Sequence, residues 1–127
     1  MTILSNFNKQ LIDLTKQLHE MYPNDNNVFT FYQSLLLLQK TNAKKAMDYF
    51  SIYVYIYKPQ IMLEDESFFK NDMNYSEINN NYIPNLDNII DILKSKWQKM
   101  NDNCKKNIWN YFKVLIIFKE QYDLKKI

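Results

Sequence analysis

Glycine does not occur anywhere in the 127 residues, and proline occurs only three times. Tight β-turns recruit glycine for positive φ, so a sheet protein of this length would be short of connections. Helices joined by Asn- and Asp-rich segments need no such turns. The same absence excludes phosphate loops, dinucleotide fingerprints and glycine-flanked nucleophiles. Arginine is missing too: the sixteen basic residues are all lysine. Without a guanidinium fork the chain makes no bidentate arginine contact to phosphate or guanine. One cysteine, Cys104, excludes an internal disulfide and fits a reducing compartment. One histidine, His19, and no His or Cys pair at ligand spacing leave no zinc-type donor set. No apolar run approaches the length of a bilayer span, and the first residues lack the basic patch and apolar run of a signal peptide. The expectation is a soluble, cytoplasmic, non-enzymatic protein without cofactor, metal or membrane insertion.

What is present is enough for one domain around one core. Apolar residues make up 46% and charged residues 24%, values that suit a folded chain. The net charge of +2 is too small to imply a polyanionic partner by itself. Lys, Asn, Ile, Tyr and Phe dominate, and Ala stands only at 43 and 46. These are the residues of A/T-rich codons.

The stretch Ile108–Phe118 is the greasiest part of the chain, with only Asn110 and Lys113 interrupting it. A helix apolar nearly all round is buried on most sides. The reading is a central helix over 103–123, capped by Asp102 or Asn103, with other helices around it. Upstream, Ile3, Phe7, Leu11, Leu14, Leu18 and Tyr22 recur at spacings of three and four. They mark one face of a helix over 3–22, with Asn8, Lys9, Asp13, Lys16 and Glu20 opposite. Pro23 and Asn24–Asn27 stop that helix and offer caps for a second over 26–40. A third spans 43–57, started at Thr41-Asn42 and lined by Ala43, Ala46, Met47, Phe50, Val54 and Tyr57, with Tyr49, Tyr53 and Ile56 widening the face. Pro59 bends or ends it. Short turns follow at 59–63 and 66–70, then an Asn-rich loop over 71–84. A fourth helix over 86–100 pairs with the central one as a hairpin. The tail from Leu124 is expected to fray. The fold class is therefore all-α, a single domain of about five helices around a buried C-terminal helix.

Chemistry-bearing residues are few. Glu64-Asp65-Glu66 is the one acidic cluster, and successive helix positions diverge, so it reads as a solvated turn. His19 suits a helix C-terminus, where a cation is favoured. Cys104 falls in the first turn of the central helix without a companion Cys or nearby His, and reads as a small, partly buried residue. Lys94, Lys96, Lys99, Lys105 and Lys106 crowd the junction of the last two helices. They form either a solvated face opposite Ile90, Leu93 and Trp97 or a patch that docks on phosphates. Trp97 and Trp109 are spaced to lie in the hairpin core. Aromatic content of 16% exceeds what a small core buries completely. Tyr53, Tyr57, Phe68 and Phe69 are the rings expected at a protein-binding surface.

The layout Tyr57-Lys58-Pro59-Gln60-Ile61, then Asp65-Glu66-Ser67-Phe68-Phe69, then Leu93 to Trp97 and Lys106-Asn107-Ile108-Trp109-Asn110-Tyr111-Phe112 resembles small uncharacterised proteins of nucleocytoplasmic large DNA viruses, mimivirus-like ones among them. The resemblance covers roughly 30–122 and implies a helical fold and a viral origin, with no catalytic residue. The functional expectation is a helical protein–protein interaction module acting in a host cytoplasm or viral factory. The alternative is a nucleic-acid-associated accessory protein using the lysines at 94–106.

Overall fold

The computed structural model describes residues 2–66, 93 and 96–125. These residues form five α-helices in an all-α bundle: α1 (Ile3–Met21), α2 (Asn26–Thr41), α3 (Lys45–Tyr53), α4 (Lys58–Met62) and α5 (Asp102–Lys125). Two 3₁₀ turns, Tyr55–Tyr57 and Trp97–Lys99, complete the described elements. The expected 66–70 turn beyond Glu66, the 71–84 loop and most of the expected 86–100 helix lie outside the described residues.

Side chains close the helix starts. Thr2 Oγ1 accepts the Ser5 amide at 3.0 Å. Asp25 Oδ1 accepts the amides of Asn27 at 2.9 Å and Val28 at 3.2 Å. Each satisfies an amide that has no partner inside the first turn. The α5 start departs from expectation. Asn101, not Asp102 or Asn103, is the cap, its Oδ1 accepting the Cys104 amide at 2.8 Å. The third helix is also shorter than its periodicity suggests. Thr41-Asn42 does not start it; the cap position is Lys44, which makes no capping side-chain bond. It stops at Tyr53, because Pro59 has no N–H for the Tyr55 carbonyl and its ring crowds the preceding turn. The chain tightens into the 3₁₀ turn and restarts with Pro59 inside the first turn of α4.

The core gathers Phe7, Leu11, Leu14 and Leu18 from α1, Val28, Phe31 and Leu35 from α2, and Ala46, Met47 and Phe50 from α3. Ile61 joins from α4, and Ile108, Trp109, Phe112, Leu115 and Ile116 from α5. Leu93, Trp97 and Met100 are buried with them. Trp97 meets Trp109 edge to face at 5.3 Å, and Phe7 meets Phe50 the same way at 5.3 Å. Burying each such side chain contributes about 1.5–3 kcal/mol.

Among the described residues, α1 makes contact with three other helices. It packs against α5 along the longest seam and also touches α2 and α3. Helix α5 buries Ile108, Trp109, Phe112, Leu115 and Ile116, packs Tyr111, Phe118 and Tyr122 against the core edge, and leaves Ile117 47% exposed. Asn8, expected on the polar face of α1, is instead buried, and its Nδ2 donates to the Ala43 carbonyl at 2.7 Å. An amide in that position ties α1 to the connection between α2 and α3.

Candidate functional site

Helix α3 and the turn after it divide cleanly by face. Ala46, Met47, Phe50 and Val54 point into the core, while Ile52 and Ile56 point out, 57% and 62% exposed. At about a hundred degrees per residue, positions 45, 49 and 52 share one side of α3, opposite the buried set. Lys45 Nζ lies 5.3 Å from the centre of the Tyr49 ring, and Tyr49 stacks on Tyr53 with ring centres 6.0 Å apart. Met62 and Leu63 continue the exposed apolar set at the end of α4. Tyr53 and Tyr57 are half-buried against the core, so the outward contacts in this region are the isoleucines beside them. Ile56, assigned by periodicity to the core face, is outward because the chain leaves α-helical geometry after Tyr53. Ala43 is also outside the core, since α3 begins only at Lys45. Phe68 and Phe69 lie outside the described residues.

The lysine corner is built differently from a free basic patch. Lys96 is 2.5 Å from Asp25 and sits 4.3 Å above the Tyr22 ring. Lys105 reaches Glu66 at 3.2 Å, and Lys106 reaches Glu64 at 2.7 Å. Lys113, which the sequence does not single out, completes the set at 2.5 Å from Glu64. Lys99 is exposed, and Lys94 lies outside the described residues. The acidic turn is thus not merely solvated: it docks on α5. Its backbone explains the aim of the carboxylates. Glu64 has φ 53°, the left-handed conformation that usually falls to glycine after a helix. The Glu64 amide donates to Ile61 O at 3.0 Å and the Asp65 amide to Gln60 O at 2.9 Å, a Schellman closure of α4. In a chain without glycine a glutamate fills the position. Its hydrogen bonds to Lys106 and Lys113 hold the Glu64 carboxyl below its ordinary range.

A second charged knot joins the 3₁₀ turn to α5. Tyr55 Oη donates to Glu120 Oε2 at 2.7 Å, and Lys58 Nζ reaches the same oxygen at 2.5 Å. The hydrogen bond to Glu120 raises the Tyr55 phenol, and the lysine with the phenol lowers the Glu120 carboxyl. On the α1–α5 seam, Tyr111 Oη donates to Asp13 at 2.6 Å and accepts from Gln17 at 2.5 Å. Burial first, and then that carboxylate, pushes the Tyr111 phenol up. Two shallow cavities of about 430 and 270 Å³ share Gln10 and Asp13 along this seam.

Compared with protein-family models, curated proteins and solved structures, the chain matches none.

Among the described residues, no three His, Cys, Asp or Glu side chains converge in a way that could hold a metal ion. His19, in the last turn of α1, is half-buried between the rings of Phe29 at 5.3 Å and Tyr32 at 6.0 Å, and its Nδ1 is buried without a partner. Cys104 is half-buried in the first turn of α5. None of the described helices is long and apolar enough to cross a membrane.

Proposed function

We propose that this protein is a non-enzymatic helical module that binds another protein through the outer face of its 52–63 segment. One observation carries the reading. Ile52, Ile56, Met62 and Leu63 are exposed together in that short segment, whereas Met21, Phe29, Leu37, Ile117 and Leu124 are scattered over three other helices. Clustered exposed apolar side chains mark interaction surfaces, while single ones do not. The face is one helix wide, so its occupant is a single amphipathic helix rather than a broad protein surface. Lys44 and Lys45 stand at the start of α3, with Lys44 4.0 Å from Asp48 and Lys45 over the Tyr49 ring. They favour a partner helix with carboxylates at the end that meets them. The described groups with shifted proton affinities lie in separate knots around the bundle, which suits anchoring better than catalysis. The viral setting, a host cytoplasm or viral factory, rests on the resemblance of the 57–61, 65–69 and 106–112 motifs alone.

The test uses the full chain with a photo-reactive side chain at position 63, the most exposed position of the set. The expected cross-linked peptide is amphipathic and acidic at one end. Ile52→Ser with Ile56→Ser should keep the helical circular-dichroism spectrum and lose that cross-link, while Lys9→Ser on the far side of α1 keeps it. A cross-link that survives the double substitution overturns the reading.

A further inference from the structure

We propose that the lysines on the first turns of α5 form an anion-binding row that the chain's own acidic turn occupies, and that a phosphodiester strand displaces the turn. This proposal rests on the lysines of α5 and not on the exposed isoleucines Ile52 and Ile56 of the protein-binding face. Lys105, Lys106 and Lys113 lie along one helix over roughly 12 Å at 1.5 Å per residue. Their present ligands are anionic oxygens: Glu64 Oε2 between Lys106 at 2.7 Å and Lys113 at 2.5 Å, and Glu66 Oε1 at 3.2 Å from Lys105. Trp97 Nε1 adds a neutral donor to Glu66 at 3.3 Å. The row therefore already acts as a receptor for charged oxygens. Lys99, solvent-facing one turn before α5, extends it.

The turn is attached in a way that permits exchange. Glu64 and Glu66 reach toward α5 while Met62 and Leu63 face solvent, 43% and 81% exposed, the reverse of an ordinary surface helix. Ile61 is the one buried anchor of α4. Glu64 is held in a backbone conformation unfavourable to any side chain with a Cβ, and release of its two lysines removes what keeps it there. Lys106 and Glu66 are 58% and 42% exposed, so salt and competing anions reach both pairs. A nucleic-acid strand presents charge at a regular repeat and releases condensed counterions when lysines replace them. Three acids in one turn offer neither advantage. Contacts made to phosphate oxygens alone carry no base sequence.

The experiment measures affinity of the full chain for a single-stranded thymidine 20-mer against salt. Wild type should bind weakly with a shallow slope. Glu64→Gln with Glu66→Gln frees three lysines, so the log–log slope should steepen by about 2, at about 0.7 for each phosphate neutralised on single strands. An equal charge change elsewhere that frees no lysine, Glu20→Gln with Asp13→Asn, should leave the slope unchanged. In wild type, the oligonucleotide should speed hydrogen exchange at the amides of 63–66. Equal steepening in the control pair overturns the proposal, because net charge would then explain it. Unaltered exchange at 63–66 with the strand bound overturns it as well. If polyglutamate releases the turn as effectively at equal charge, the preference for phosphodiester is wrong.

Discussion

Asn8 connects the first helix to the rest of the bundle through one amide. Its Nδ2 donates to Ala43 O at 2.7 Å from a side chain only 4% exposed. Asn8→Ala leaves that carbonyl without its donor, which should destabilise the fold by about 1–3 kcal/mol. Urea unfolding followed by circular dichroism measures it, and an unchanged midpoint would show that water replaces the amide. Nothing in the local sequence separates Asn8 from Lys9 or Asp13, since all three interrupt the same apolar spacing. Asn8 is buried because α3 packs on Phe7 and brings the Ala43 carbonyl over the neighbouring Asn8 amide. The outward isoleucines were partly legible. Counting helical angles from Ala46 and Phe50 puts Ile52 on the opposite side, but Tyr53 and Tyr57, as aromatics, drew attention as surface contacts. They are half-buried, packed against the core.

At the scale of elements, charge joins α4 and the 3₁₀ turns to the helices around them. Lys106 and Lys113 lower the Glu64 carboxyl, Lys58 and Tyr55 lower Glu120, and Lys96 lowers Asp25. A carboxyl depressed in the folded chain protonates first in the unfolded one. Its contribution to stability is therefore complete above the ordinary values of 4.5 for Glu and 3.8 for Asp, and is lost as pH falls through the folded values. The thermal midpoint should fall between pH 6 and pH 3, and less steeply in Glu64→Gln with Glu120→Gln than in wild type. Identical slopes would show that these pairs contribute nothing to acid stability. On the alkaline side, Glu120 raises Lys58 above 10.5, so that part of the pairing persists until pH climbs past the raised value. The acidic turn was visible as three consecutive acids, yet its target was not. Glu64 and Lys113 are far apart in the chain, and only the packing of α4 on α5 brings them together.

For the whole molecule, the two tryptophans report whether the bundle behaves as one unit. Trp97 is fully buried and touches Trp109, which is 3% exposed, edge to face. Native emission should be blue-shifted, and its loss in denaturant should coincide with the loss of helical circular dichroism. Two separated transitions would make the Trp97 segment a unit apart from α1 and α5. Trp97→Ala should destabilise the protein by about 3–5 kcal/mol, because a large buried ring leaves a cavity that its neighbours fill only in part.

The all-α class and most helix limits followed from the sequence alone: apolar spacing of three and four, Asp25 as a cap, Pro59 as a break, and no glycine for tight turns. These are local properties, set within one or two turns of chain. Tertiary structure alone decided that α1 meets α5 along the longest described seam, that Lys96, Lys105, Lys106 and Lys113 are matched by Asp25, Glu66 and Glu64, and that Ile52 and Ile56 remain outside. Each depends on which face of one helix meets which face of another, and a periodic pattern gives the width of a face without naming its neighbour.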